Sequence, residues 1–288
     1  MTALAAVERL EKRYPLTRGV VLRRRLGEVS AVDDVSLAVE EGESLGIVGE
    51  SGSGKTTLAR ILINLVEPTS GVVRYRGEDV THARGAALRA LRRERQMVFQ
   101  DPADSLNPRR TVGAAIAEPF AIHGLLPERS TRARRVAELL EQVGLEPAHA
   151  NRYPHELSGG MRQRVGIARA IALGPRLLVA DEPVSALDVS IQAQILTLLR
   201  DLRRDLSLTL VLIAHDLAVV RHMCERVAVM RAGRLVELAT AEELYRAPRE
   251  AYTRELLAAV PRIPAFEGAA PGGRQSSPDS SSSSSSST

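Results

Sequence analysis

The chain has 288 residues, 44% of them hydrophobic, enough to bury one good core, or a core domain and a smaller companion. Its single cysteine, Cys224, excludes a disulfide framework or a cysteine-rich metal cluster and fits a reducing cytosol. The pI near 9.6 points toward nucleic acid or an anionic surface. However, 39 basic and 35 acidic residues are interleaved to a net charge of only +4, which reads as a solvated arginine-rich surface with no nucleic-acid partner.

At the start, "MTALAAVERLEKR" breaks into charge after seven residues, so no secretory leader is predicted. No apolar run anywhere approaches the roughly 20 residues that span a bilayer. The stretch "AVDDVSLAVEEGESLGIVG" (31–49) alternates and then becomes continuously apolar, predicting edge strands that feed a buried one. A glycine-rich loop follows, and "LARILINLV" behind it is helical. Between 101 and 165 the texture changes to proline-bounded helical stretches such as "STRARRVAELLEQVGL", with no strand candidate. This region reads as a helical insert. "LLVADEP" (177–183) and "LTLVLIAHD" (208–216) are short apolar runs with polar ends and helical patterns between them. Strand and helix thus alternate, which predicts a mostly parallel sheet with ligands at the strands' carboxyl ends. From about 265, "GAAPGGRQSSPDSSSSSSSST" is too poor in apolar residues to order itself. There is no internal repeat.

The loop itself, "GESGSGKTT" (49–57), has the spacing of a phosphate cradle: Gly49, four residues, then Gly54-Lys55-Thr56. Glycines let successive backbone N–H groups converge on one anion, and the helix that follows adds its unpaired amides. Lys55 would reach the outer phosphates, and the Thr56 hydroxyl would sit on Mg²⁺. Of the 39 basic residues only Lys12 and Lys55 are lysines, so a chain that otherwise writes arginine keeps lysine where a compact ammonium is wanted.

"LLVADEP" brings two adjacent carboxylates to the end of a buried strand, a costly arrangement unless a cation is there. Mg²⁺ is the natural partner of Asp181, and Glu182 could take a proton from an attacking water. "LSGGM" (157–161), ahead of the helix "MRQRVGIARAIAL", is a second helix N-terminus suited to an anion. One nucleotide would not need two such cradles in one chain.

Taken together, these segments resemble the ATP-binding subunits of ABC transporters over most of residues 1 to 260. "GESGSGKTT" resembles their Walker A, with Gly49, Glu50, Ser51, Gly52, Ser53, Gly54, Lys55, Thr56 and Thr57 on ATP. "MVFQD" resembles the Q-loop around Gln100, "LLVADEP" the Walker B, "SALD" (185–188) the D-loop, and "IAHD" the switch histidine, His215. "LSGGM" resembles the signature, with Ser158, Gly159 and Gly160 facing phosphate; its Met161 departs from the usual Gln. The resemblance implies an α/β fold: a P-loop NTPase (RecA-like) core with a mostly parallel sheet, an N-terminal antiparallel β portion and an inserted helical subdomain. It places an ATP-binding domain at 1–264, with a C-terminal extension from about 240, and leaves 265–288 as a tail.

It also implies a mechanism. Two such domains pack head to tail, so the signature of one completes the phosphate site of the other. Glu182 would activate water, His215 would bridge Glu182 and phosphate, and Gln100 would sense Mg²⁺ beside Thr56 and Asp181. Tyr14 would stack on adenine, unless it is an edge-strand tyrosine.

"QDPADSLNPRRTVGAAIAEPF", "DEPVSALDVSIQAQIL" and "YTRELLAAVP" are similar to the oligopeptide/dipeptide permease branch. That branch implies a second, different ATP-binding subunit, two permease subunits, an external solute-binding protein, and a place on the cytoplasmic face of the bacterial inner membrane. The insert would receive a cytoplasmic permease helix at Phe120 and Leu106. Nickel or glutathione uptake, or a soluble non-transport ABC-type ATPase, are the alternatives.

Overall fold

The computed structural model describes residues 3–18, 24–100 and 106–259; the serine-rich tail and the first residues after Gln100 lie outside them. Two long strands open the chain, β1 (Ala3–Arg18) and β2 (Arg24–Glu40), paired antiparallel along their length. With β4 (Ser70–Tyr75) and β5 (Glu78–Asp79) they make a four-stranded antiparallel sheet in the order β2-β1-β4-β5. Bulges interrupt the β1–β2 register, two of them beside Arg9 and Asp34, both at positive φ; such kinks let a long ribbon twist over its neighbour.

The second sheet has six strands. β3 (Ser44–Val48) lies between β8 (Thr209–Ile213) and β9 (Arg226–Arg231), followed outward by β7 (Leu177–Asp181) and β6 (Arg95–Val98); all five run parallel. β10 (Arg234–Thr240) closes the other edge antiparallel. In β3, β7 and β8 every residue is buried, which is why these segments read as unbroken apolar runs. Alternate residues enter different cores. Leu45, Ile47, Val179 and Ile213 pack with β1, β2 and α1 (Lys55–Leu62). Leu178, Ala180 and Leu212 pack toward the helical side.

Strand and helix alternate as expected, and the sheet and its antiparallel companion match the expected fold class. β1 belongs to the expected N-terminal antiparallel portion, whereas β9 and β10 carry no motif and have no expectation to match. Among the described residues between β6 and β7 there are only helices, including α3 (Val112–Ile122), α4 (Arg129–Gln142) and α5 (Gly159–Ile171). One expectation is corrected here. Leu106 and Phe120 are 3% and 4% exposed and belong to the core, so they cannot present a docking surface. In α3 the buried set is Val112, Ala115, Ile116, Pro119 and Phe120, the one-sided spacing that marks a helix face turned inward.

Candidate active site

β3 delivers the chain into the glycine loop. Gly49, Gly52 and Gly54 have φ of 148°, 78° and 100°. The space is as restrictive as the backbone: a Cβ on Gly49 would run into the Met230 carbonyl oxygen, and one on Gly54 into that of Ala31. The loop is braced by Ser53 N–H to the Glu50 carbonyl (3.1 Å) and by Gly233 N–H to the Ser53 carbonyl (3.0 Å). Gly233 lies in the β9–β10 turn, where Ala232 and Gly233 both have positive φ, a turn suited to a tight hairpin. Glu50, Ser51 and Gly52 are exposed, and Thr57 is half-buried.

Three features of this loop fit a phosphate. Helix α1 begins with no side-chain cap and no acid in its first turn, leaving its first amides for an anion. The Ser53 hydroxyl is buried and has no partner among the described residues. Lys55 is 4% exposed, and its ammonium donates to the Gly49 and Glu50 carbonyls, both at 2.8 Å. Burial pushes its pKa below the usual lysine value, against the attraction of Glu182, Asp181 and Glu50.

Both carboxylates sit at the carboxyl end of one strand. Asp181, the last residue of β7, is 2% exposed and accepts from the Thr56 hydroxyl at 2.9 Å. Burial pushes its carboxyl above the ordinary range, opposed by that hydrogen bond and by Arg60, whose guanidinium is 4.0 Å away. A hydroxyl and a carboxylate converging in this way suit a hard cation that takes its remaining ligands from phosphate and water. Glu182 has φ 44°, a left-handed conformation that an ordinary residue keeps only when its surroundings impose it. Its N–H is held by the Ile213 carbonyl at 3.0 Å. Its Oε2 accepts from Gln100 Nε2 at 3.0 Å and lies 3.8 Å from His215 Nδ1. Gln100 follows β6 and His215 follows β8, so three neighbouring strand ends meet at one oxygen. Gln100 thus turns its amide nitrogen to Glu182 rather than joining Thr56 and Asp181.

The signature stands apart. Ser158 caps α5 through its hydroxyl, which accepts from Met161 N–H at 3.3 Å. Gly159 faces Leu187, and a Cβ on Gly160 would clash with Ile191 at the start of the next helix, α6 (Val189–Asp205). Among the described residues no hydrogen bond or ion pair joins 158–160 to the loop 49–57.

Residues 32–185 match the family described as ABC transporter. The chain belongs to this family. The oligopeptide transport ATP-binding protein AppF of Bacillus subtilis (strain 168) is 50% identical over 253 residues, covering 88% of this chain and 76% of AppF. The glutathione import ATP-binding protein GsiA of Escherichia coli (strain K12) is 51% identical over 255 residues, covering 88% of this chain but 41% of GsiA. Among solved structures, the ATP-binding cassette MJ0796, a dimer in a post-hydrolysis state bound to ADP and Pi, superposes with a TM-score of 0.72 at 31% identity. The match covers 82% of this chain and 98% of that one. The chain is therefore an ABC-type ATPase, as its motifs implied. Among its described residues no helix is long and apolar enough to cross a membrane.

Other residues of the cassette were not legible as site residues. Tyr252, in the C-terminal helix α9 (Ala251–Ala259), offers its hydroxyl oxygen to the Glu50 N–H at 3.1 Å. Arg60 approaches Asp181, and Gly233 braces Ser53. Gly233 lies in no motif, Tyr252 opens a segment that carried only the branch resemblance, and Arg60 is three residues past the loop on α1; the fold brings Tyr252 and Gly233 to the loop and Arg60 to Asp181. Tyr14, on β1, pairs with Val29 of β2 and is 40% exposed, with the Lys12 ammonium 5.0 Å from its ring centre. Its partner Val29 is two residues along β2 from Ala31, whose carbonyl lies against Gly54.

Proposed function

We propose that the chain is the ATP-hydrolysing subunit of an ABC importer, coupling ATP binding and hydrolysis to uptake of oligopeptides, dipeptides or a related solute through separate membrane subunits. The observation that carries this reading is the meeting of Gln100, Glu182 and His215 at the ends of three adjacent strands, one residue beyond an Asp181 already bonded to Thr56. A module that only stored nucleotide would have no use for a strained, half-sequestered carboxylate between an amide and an imidazole. The names of the relatives support peptide import, with glutathione, itself a short peptide, as the second solute.

In this reading the loop 49–57 holds the phosphates of ATP, and Lys55 exchanges its two carbonyl partners for phosphate oxygens. Thr56 and Asp181 are the residues that would hold Mg²⁺, and Gln100 would join them by turning from Glu182. When bound, Mg²⁺ supplies charge neutralisation at the phosphate oxygens. Glu182 takes the proton of the attacking water, and His215 steadies Glu182 and the outer phosphate. Ser158, Gly159 and Gly160 serve the site of a second ATP-binding subunit, a different but related chain. Two permease subunits and, indirectly, an external solute-binding protein complete the assembly, with this chain peripheral on the cytoplasmic face of the bacterial inner membrane. A cavity of about 370 Å³ between the insert and the core, lined by Phe99, Ile122 and Gln163 among others, would seat a cytoplasmic permease helix.

The test is Glu182→Gln. Steady-state ATPase should fall about 10²–10⁴-fold, the usual cost of losing a positioned base. Equilibrium ATP binding should persist, and a closed ATP-bound dimer should accumulate. Unchanged hydrolysis would remove Glu182 from the mechanism. For the solute, reconstitution with the partner permeases and binding protein should show uptake of labelled peptide.

A further inference from the structure

The C-terminal helix α9 reaches the phosphate loop through Tyr252. This side chain is 4% exposed, its hydroxyl oxygen accepts the Glu50 N–H at 3.1 Å, and the Arg231 guanidinium covers its ring at 4.6 Å from the centre. The Glu50 N–H belongs to the same peptide group as the Gly49 carbonyl, and that carbonyl accepts from Lys55 Nζ at 2.8 Å. A peptide group is planar and turns as a unit. One plane is therefore held at both ends, by the tyrosine hydroxyl and by the lysine ammonium. Glycine at 49 offers little steric resistance to rotation of that plane, so the restraint must come from its hydrogen bonds.

The helix that carries Tyr252 is itself anchored. Glu237 on β10 is buried and accepts from the N–H groups of Arg249 (2.9 Å) and Glu250 (3.2 Å) and from the Thr253 hydroxyl. A carboxylate that gathers the two amides just ahead of a helix and a hydroxyl of its first turn fixes where the helix starts. Tyr252 lies between these contacts and enters the loop from a fixed base.

We infer that Tyr252 is a positioning residue of the nucleotide site: it sets the Gly49–Glu50 peptide, and through it Lys55, so that the C-terminal helix is part of the ATP-binding apparatus. The inference rests on the reading of residues 49–57 as the ATP site. In this arrangement the hydroxyl keeps the Gly49 carbonyl directed at the ammonium before nucleotide arrives. Loss of the hydroxyl would leave the plane free to turn and Lys55 with one fewer fixed partner.

The decisive comparison is Tyr252→Phe, which keeps the ring under Arg231 and removes only the acceptor, beside Tyr252→Leu, which removes the ring as well. In nucleotide-free full-length protein, Tyr252→Phe should speed amide hydrogen exchange several-fold in peptides containing Glu50, while α6 stays protected as in the wild type. The Kd for MgATP and the KM should each rise roughly two- to tenfold, the range of one net hydrogen bond, with kcat nearly unchanged. Tyr252→Leu should show the same losses together with a lower melting temperature. If Tyr252→Phe matched the wild type in both exchange and Kd, and only Tyr252→Leu differed, the tyrosine would be a packing residue and the inference would fall. An effect of Tyr252→Phe on kcat alone would overturn it as well. Should the wild-type chain not bind MgATP, the reading of the loop would fail separately, and exchange at Glu50 would still show whether the tyrosine holds the peptide.

Discussion

Lys55 carries a cost to the fold. Its ammonium is almost fully buried, and its only hydrogen-bond partners among the described residues are two backbone carbonyls. A buried charge hydrogen-bonded to no counter-ion is unfavourable, so Lys55→Ala should leave the nucleotide-free melting temperature unchanged or raise it by a few degrees. It should also abolish the rise in melting temperature that saturating MgATP gives the wild type. Thermal shifts with and without MgATP check both halves, and a clear loss of stability without nucleotide would make Lys55 a structural residue. Lys55, Asp181, Glu182 and His215 were legible in the sequence because their chemistry depends on spacing within a few residues of a strand end. Tyr252 and Gly233 were not legible, because the fold alone brings them to the loop from far along the chain, and Arg60, close to the loop on α1, was not because only the fold sets it beside Asp181. Nor could spacing show that Gln100 turns its nitrogen toward Glu182, since that choice belongs to side-chain geometry.

At the level of elements, the parallel strands were readable where burial on both faces left continuous apolar runs, as in β3, β7 and β8. β1 was not, because a long bulged strand with one face on the core has no clean period, and β9 and β10 carry no motif to draw attention to them. The insert shows the opposite error: its apolar spacing was legible, but such spacing marks what is buried and not what binds. Phe120 and Ile122 now separate the two roles. Phe120→Ala should cost about 3–5 kcal/mol of stability, as large aromatic truncations in a core do. Ile122, 59% exposed, should tolerate Ile122→Glu within about 0.5 kcal/mol while weakening association with the permease. Melting temperatures and co-purification with the permease subunits read the two effects, and equal loss of association with full stability in both variants would contradict this assignment of faces.

For the whole molecule, the separation of Ser158 from the loop 49–57 within one chain leads to a prediction about partners. A Ser158→Arg substitution should damage the ATP site of the companion subunit and spare the one built on Lys55. Lys55→Ala here, combined with a signature change in the companion, should strike one composite site and leave the other intact. ATP occupancy measured in mixed reconstitutions with the permease distinguishes these arrangements, and full transport by this chain without any second ATPase would rule out a pair of different subunits. The strand order has a further consequence, for the chain during its synthesis. β3, which leads directly into the glycine loop, lies between β8 and β9, strands made much later. At roughly 5–20 residues per second, the segment Ser44–Val48 must wait on the order of ten seconds or more after leaving the ribosome before either neighbour exists. Throughout that interval an apolar strand with two unpaired edges is open to mispairing, and a nascent chain halted before residue 226 should hold no nucleotide at all.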